Sequence, residues 1–178
     1  MDPFATLGLA RRYDLDPNEL ERRYRELQKA LHPDRHVGAS ASQRRMALGK
    51  AVEVNEAYRT LRDQQKRAEA LLTLLRGGDA TAQPAVRETA DPELLMEVME
   101  LREALSEAKQ ARDMARVGSL AERVRALHAG TDARLLRAFG ELREQADAGQ
   151  LAKIATLVSR LKYYQRFLDE VSAFEETA

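Results

Sequence analysis

The sequence predicts an all-α protein. Alanine, leucine, arginine and glutamate, which favour helices, recur throughout its 178 residues, whereas aromatic residues make up only 5% of them. Apolar residues recur at spacings of three and four along several long stretches, as they do on one face of a helix. Asp-Pro pairs begin three of these stretches, and an Asp cap followed by Pro is typical of a helix N-terminus. The pairs are Asp2-Pro3, Asp16-Pro17 and Asp91-Pro92.

The composition excludes several classes of protein. With no cysteine and three histidines, the chain offers no disulfide, thiolate ligand or thiol nucleophile, so we expect neither a metal site nor a cofactor. There is no apolar run of about 18 residues, and Met1 to Phe4 lack the pattern of a signal peptide. We therefore expect a cytoplasmic protein with no membrane contact.

The charge is unevenly distributed along the chain. Its formal net value is zero, but residues 1–76 carry +4 and residues 77–178 carry −4. The two parts are therefore expected to face different partners. Neither value approaches the strongly basic balance of a nucleic-acid-binding domain, so no nucleic-acid partner is expected.

Residues 1–76 are predicted to form four helices, two of them short. Leu20, Tyr24, Leu27 and Leu31 form an apolar stripe on the second helix, and Ala47, Ala51, Val54, Tyr58 and Leu61 form one on the third. Packing of these stripes predicts an antiparallel hairpin with His32-Pro33-Asp34 near its tip, because proline ends the second helix. The first expected helix begins at Pro3. The other three are expected to span residues 17–31, about 40–63 and about 65–75.

The rest of the chain is predicted to be a linker, residues 77–90, followed by a three-helix bundle, residues 91–178. Gly118 and Gly149 are expected to break the chain between helices, whereas the effect of Gly130 stays open because one glycine costs a helix only about 1 kcal/mol. The expected bundle helices run from Pro92 to about Val117, from Leu120 to Ala146 and from about Gln150 to Phe174.

The first part of the chain resembles a J-domain. The resemblance rests on Phe4 with Leu7-Gly8-Leu9, on the basic helix ending at Leu31, on His32-Pro33-Asp34, and on the Asn55–Leu61 segment. It implies a loop that contacts a chaperone ATPase. Arg22, Arg25 and Lys29, opposite the apolar stripe, would then meet an acidic groove of that ATPase; alternatively they form an ordinary solvated face.

The resemblance extends over nearly the whole chain to HscB-type J-protein co-chaperones of iron–sulfur cluster assembly. It is carried by Arg67 to Leu72, Leu95 to Glu103 and Arg166 to Asp169. It implies an adaptor that activates an HscA-type chaperone ATPase through the loop and holds an IscU-type scaffold protein on its C-terminal bundle.

The bundle sequence itself indicates a binding surface. Leu94, Val98, Leu101, Leu105 and Ala108 make one apolar stripe, and Leu95, Met96 and Met99 lie on another side of the same helix. A small bundle can hardly bury both sides, and methionine suits an adaptable contact. Alternatively, Phe167 packs against the J-domain or a helix end. The predicted scaffold-binding residues are Leu95, Met96, Met99, Arg166 and Phe167, with Glu100 and Glu103 as a polar rim.

An enzyme is not expected. His36 and His128 have no recognisable catalytic partners, and no glycine-rich phosphate-binding loop appears, so ATP hydrolysis would belong to the partner. The rival hypothesis is a J-domain protein that delivers unfolded clients generally or tethers an assembly. The surface formed by Leu95, Met96, Met99 and Phe167 distinguishes the two, since general client binding would not require that set.

Overall fold

The chain folds into two compact units, Met1–Ala85 and Val86–Ala178. The computed structural model describes residues 1–36, 38, 40–78, 92–142 and 147–177, except the side chain of His36. Every regular element within these ranges is a helix, which confirms the predicted all-α class. Asp91 and residues 79–90 of the predicted linker lie outside the described residues, so its bounds stay a prediction.

Over its described residues, the N-terminal unit contains four α-helices and one 3₁₀ turn, and the polar residues that precede the helices set their bounds. The Asp2 and Asp16 carboxylates accept hydrogen bonds from backbone N–H groups of the first turns of α1 and α2. Ser40 and Gln43 form a reciprocal capping box at the start of α3. The elements are α1 (Pro3–Leu7), α2 (Pro17–Leu31), the 3₁₀ turn (Pro33–His36), α3 (Ala41–Arg62) and α4 (Gln64–Leu75).

Helix α3 is the centre of this unit, because α1, α2 and α4 all pack on it. Val54 and Leu61 on α3 are buried, as are Phe4 and Leu7 on α1. At Gly77 the backbone is left-handed (φ 72°), a conformation that glycine adopts without a Cβ penalty, and this ends α4. The predicted α2–α3 hairpin is therefore present, with residues 32–36 at its tip.

The C-terminal unit is a three-helix bundle of α5 (Pro92–Gln110), α6 (Met114–Gly140) and α7 (Ala148–Glu175). Salt bridges join Glu93 at the start of α5 to Arg160 near the middle of α7, and Lys109 at the end of α5 to Glu170 near the end of α7. These two helices therefore run in the same direction. Helix α6 runs the opposite way and packs most extensively on α7. The core of the bundle contains Leu101, Leu105, Val117, Val124, Tyr164 and Val171.

The predicted helix break at Gly118 was wrong. The chain turns at residues 111–113 instead, where Arg112 adopts a left-handed backbone (φ 52°) and the Asp113 carboxylate accepts a hydrogen bond from the Arg116 N–H (2.9 Å). Gly118 and Gly130 both lie inside α6. The buried neighbour Val117 and an aspartate cap outweigh the small cost of a glycine in a helix.

Candidate functional site

The His-Pro-Asp loop, residues 32–34, lies where α2 ends and the 3₁₀ turn begins. The Asp34 N–H donates to His32 Nδ1 (3.3 Å), and the Arg35 N–H donates to the His32 carbonyl oxygen (3.0 Å). The side chains nonetheless face solvent, with 60% of His32 and 87% of Asp34 exposed. Local backbone bonds thus fix the loop while its ionisable groups stay accessible to another protein.

A groove of about 560 Å³ lies beside this loop, between α2 and α3. It brings together four predicted residues, Arg25, Lys29, His32 and Pro33, whereas Arg22 and Asp34 do not line it. Sequence reasoning missed other members of the lining. A signal existed for two of them, because Arg35 directly follows the loop and Asn55 belongs to the motif on α3. The missed residues are Gln28, Leu31, Arg35, Ala51, Val54 and Asn55.

The predicted basic residues of α2 are exposed, but two of them are paired within the helix. Arg22 Nη1 lies 3.0 Å from Glu26 Oε1, and Arg25 Nε lies 2.6 Å from Glu21 Oε1. Exposed pairs of this kind contribute little, typically below about 1 kcal/mol. An acidic partner could therefore replace the glutamates at small cost.

Two tyrosines hold α2 against α3 beneath this basic face. The rings of Tyr24 and Tyr58 stack with centroids 4.0 Å apart, and the Tyr24 hydroxyl donates to Asn55 Oδ1 (3.0 Å). The Tyr58 hydroxyl donates to Glu21, which lowers the pKa of Glu21 and raises that of Tyr58. Asn55 and Tyr58, both in the motif on α3, thus fix the orientation of the helix that carries Arg25 and Lys29.

On the C-terminal unit, α5 carries an apolar patch formed by Leu95, Met96 and Met99. These side chains are 53%, 65% and 64% exposed. Glu100 and Glu103, the predicted rim, are also exposed on α5, as is Arg166 on α7. Contiguous exposed apolar side chains on a small protein indicate an interaction site.

Phe167, in contrast, does not contribute an exposed surface. It is 2% exposed and belongs to the core cluster with Leu101 and Val171, so the prediction that it shares an exposed surface with Leu95, Met96 and Met99 was wrong. The physical reason is that α7 buries a wide arc. Tyr164, Phe167 and Val171 follow one another at helical spacing, and all three are buried.

Polar contacts on the inner side of α5 fix the patch in place. Glu97 accepts a hydrogen bond from the Tyr164 hydroxyl (2.8 Å) and lies 3.5 Å from Arg160 Nη1. Burial and the bond to Glu97 raise the pKa of Tyr164 to about 12. Tyr163, whose pKa burial also raises, donates to the Val98 carbonyl oxygen (3.1 Å).

Two further observations concern the described residues as a whole. No three His, Asp or Glu side chains among them come together in a way that could hold a metal ion. None of their helices is both long and apolar enough to cross a membrane.

The helical hairpin with an exposed His-Pro-Asp loop at its tip defines a J-domain protein, and comparison with known families agrees. Residues 2–70 match the DnaJ domain, and residues 90–172 match the HSCB C-terminal oligomerisation domain. The chaperone HscB from Vibrio cholerae is similar over 99% of both chains, with 32% identity and a TM-score of 0.79. The chain therefore belongs to the HscB family of J-domain co-chaperones.

More distant structures share the fold. Human co-chaperone protein HscB is 21% identical, with a TM-score of 0.82 over 100% of this chain and 84% of its own. The Jac1 co-chaperone from Saccharomyces cerevisiae is 24% identical, with a TM-score of 0.65 over 92% of this chain and 88% of its own. At these identities the likeness concerns the fold alone.

Proposed function

We propose that this co-chaperone stimulates the ATPase of an HscA-type chaperone through its His-Pro-Asp loop and delivers an IscU-type iron–sulfur scaffold protein bound to its C-terminal bundle. The observation that carries the proposal is that each unit has its own exposed surface of distinct chemistry. One is a charged loop beside a basic helix, and the other is an apolar patch with an acidic rim. Such a chain acts by bringing two proteins together in the cytoplasm, with no reaction of its own.

The charged loop suits the chaperone role. Asp34 is available to pair with a cation of the ATPase, and His32 and Pro33 shape the backbone that presents it. Arg22, Arg25 and Lys29 would approach an acidic surface, since complementary charge accelerates encounter more than it tightens the complex.

The His32→Gln substitution tests the chaperone half of the proposal. We expect this variant to lose ATPase stimulation, measured by phosphate release from an HscA-type chaperone. Its helicity and its affinity for the scaffold should stay unchanged. His128→Gln, the same change on α6 of the other unit, is the matched control and should stimulate normally. Full stimulation by the His32→Gln variant would contradict the assignment.

Replacing Leu95, Met96 and Met99 together by alanine tests the scaffold half. If these side chains are anchors, scaffold affinity should fall by at least about 2 kcal/mol in a calorimetric titration. Met46→Ala with Leu48→Ala, two changes at exposed positions of α3, should leave it unchanged. Unchanged affinity in the triple variant would place the scaffold site elsewhere. If wild-type protein binds unfolded proteins as tightly as the scaffold, a general client carrier would be favoured.

A further inference from the structure

A second feature borders the apolar patch, on the side of α5 that faces α7. A cavity of about 260 Å³ opens between these helices. Its walls are held by the bond from the Tyr163 hydroxyl to the Val98 carbonyl oxygen, and the buried Phe167 is one of its lining residues. We call this cavity the basic groove, lined by Arg102, Ser159, Lys162, Tyr163, Arg166, Phe167 and Glu170.

The groove concentrates positive charge. Arg102, Lys162 and Arg166 line it, and the one carboxylate in its lining, Glu170, is already bound by Lys109 at 2.6 Å. Over the described ranges, neither Arg102 nor Arg166 forms an ion pair with a carboxylate. The Tyr163 hydroxyl donates its hydrogen to the Val98 carbonyl oxygen, so it holds the wall of the groove and leaves ligand binding to the cations. The cavity therefore offers the guanidinium groups of Arg102 and Arg166 to an anionic group.

The groove and the apolar patch form one continuous surface. Arg102 follows Met99 by three residues, about one helical turn, so the two side chains are neighbours on α5. At 3.6 residues per turn, Glu100 lies about 160° around α5 from Arg102, on the far side of the patch, whereas Glu103 lies beside Met99, four residues further along the helix. The patch thus has a basic border on one side and an acidic border on the other.

We infer that the basic groove binds a carboxylate side chain of the scaffold protein that docks on the apolar patch. This inference rests on the proposed function and adds the chemistry of the contact. Arginine binds carboxylates with paired, directional hydrogen bonds, so two arginines from different helices would fix the position of an acidic residue. Opposite charges on the two borders then allow the partner to dock in one orientation, because the reversed orientation would bring like charges together.

The test compares a groove variant with a matched control in the full-length protein. Arg102→Ala with Arg166→Ala removes two charges from the groove, and Arg123→Ala with Arg125→Ala removes two exposed charges from α6. Binding of a purified IscU-type scaffold is measured by calorimetry at about 0.05 M and about 0.5 M salt, where screening differs strongly. We expect the groove variant to bind about five- to tenfold more weakly at low salt, with the difference largely lost at high salt, and the control to bind like wild type.

The outcomes separate the inference from the proposed function. If wild-type protein binds the scaffold and the groove variant matches the control at both salt concentrations, the inference is overturned alone. If wild-type protein does not bind the scaffold, the proposed function fails and the inference fails with it. Light scattering of the chain by itself adds one outcome: a wild-type dimer that the groove variant dissociates would show that the occupant is a second copy of this chain, and would also overturn the inference.

Discussion

Phe167→Ala should destabilise the C-terminal unit strongly, because this ring is a core residue. At 2% exposure the side chain has left water almost completely. A buried phenylalanine removes roughly 150–250 Å² from water, worth about 4–6 kcal/mol at about 25 cal/mol per Å². The alanine side chain keeps part of this stabilisation, whereas the cavity left by the ring adds to the loss. We therefore expect the free energy of unfolding to fall by about 3–5 kcal/mol.

Urea unfolding followed by far-UV circular dichroism measures this loss, with hydrogen exchange in α5 to α7 assigning the transition to the C-terminal unit. Met96→Ala is the control, since its side chain is 65% exposed and its removal should change stability by less than about 0.5 kcal/mol. A Phe167→Ala variant as stable as Met96→Ala would refute the core assignment. If the assignment holds, weakened scaffold binding by Phe167→Ala reports unfolding as much as a lost contact.

Two further predictions concern stability. The unfolded tyrosine ionises near the ordinary tyrosine pKa of 10.0 and the buried Tyr164 at about 12, so ionisation favours the unfolded state between these values. Relative to Tyr164→Phe, wild-type stability should fall by about 1 kcal/mol per pH unit between pH 10 and about 12 in urea titrations; a pH-independent difference would contradict this. Gly118→Ala and Gly130→Ala should each stabilise α6 by up to about 1 kcal/mol, because an added Cβ meets nothing within 4 Å. Thermal unfolding checks this, and a lower melting temperature would contradict it.

Helix bounds follow from the sequence where strong local signals agree. Helix α2 spans Pro17–Leu31 as predicted, because Asp16 caps one end and the proline of the His-Pro-Asp loop ends the other. The α5–α6 junction has no such pair of signals. Its stop is a left-handed Arg112 followed by Asp113, and tertiary packing of Val117 keeps the glycine that follows helical.

One of the two exposed features of the bundle likewise follows from the sequence, and the other does not. The positions of Leu95, Met96 and Met99 follow from helical spacing because the core stripe of α5 is narrow. On α7 the apolar positions continue past Leu161 in two ways, through Leu168 or through Tyr164 and Phe167, and both routes reach Val171. Spacing alone cannot choose between them. Tertiary packing decides which residues of α7 are buried, because α5 and α6 together cover a wider face of α7 than a single apolar stripe. The basic groove arises from the same packing.

The contacts that hold α5 have a consequence for how such a protein can change over generations. Glu97 and Lys109 tie the helix to α7 through Tyr164 and Glu170, whereas Met96 and Met99 point away from the fold. Substitutions on the outer side therefore change the exposed surface of α5 at almost no cost in stability. The outward positions of α5 can therefore vary while the inner contacts hold the helix in place.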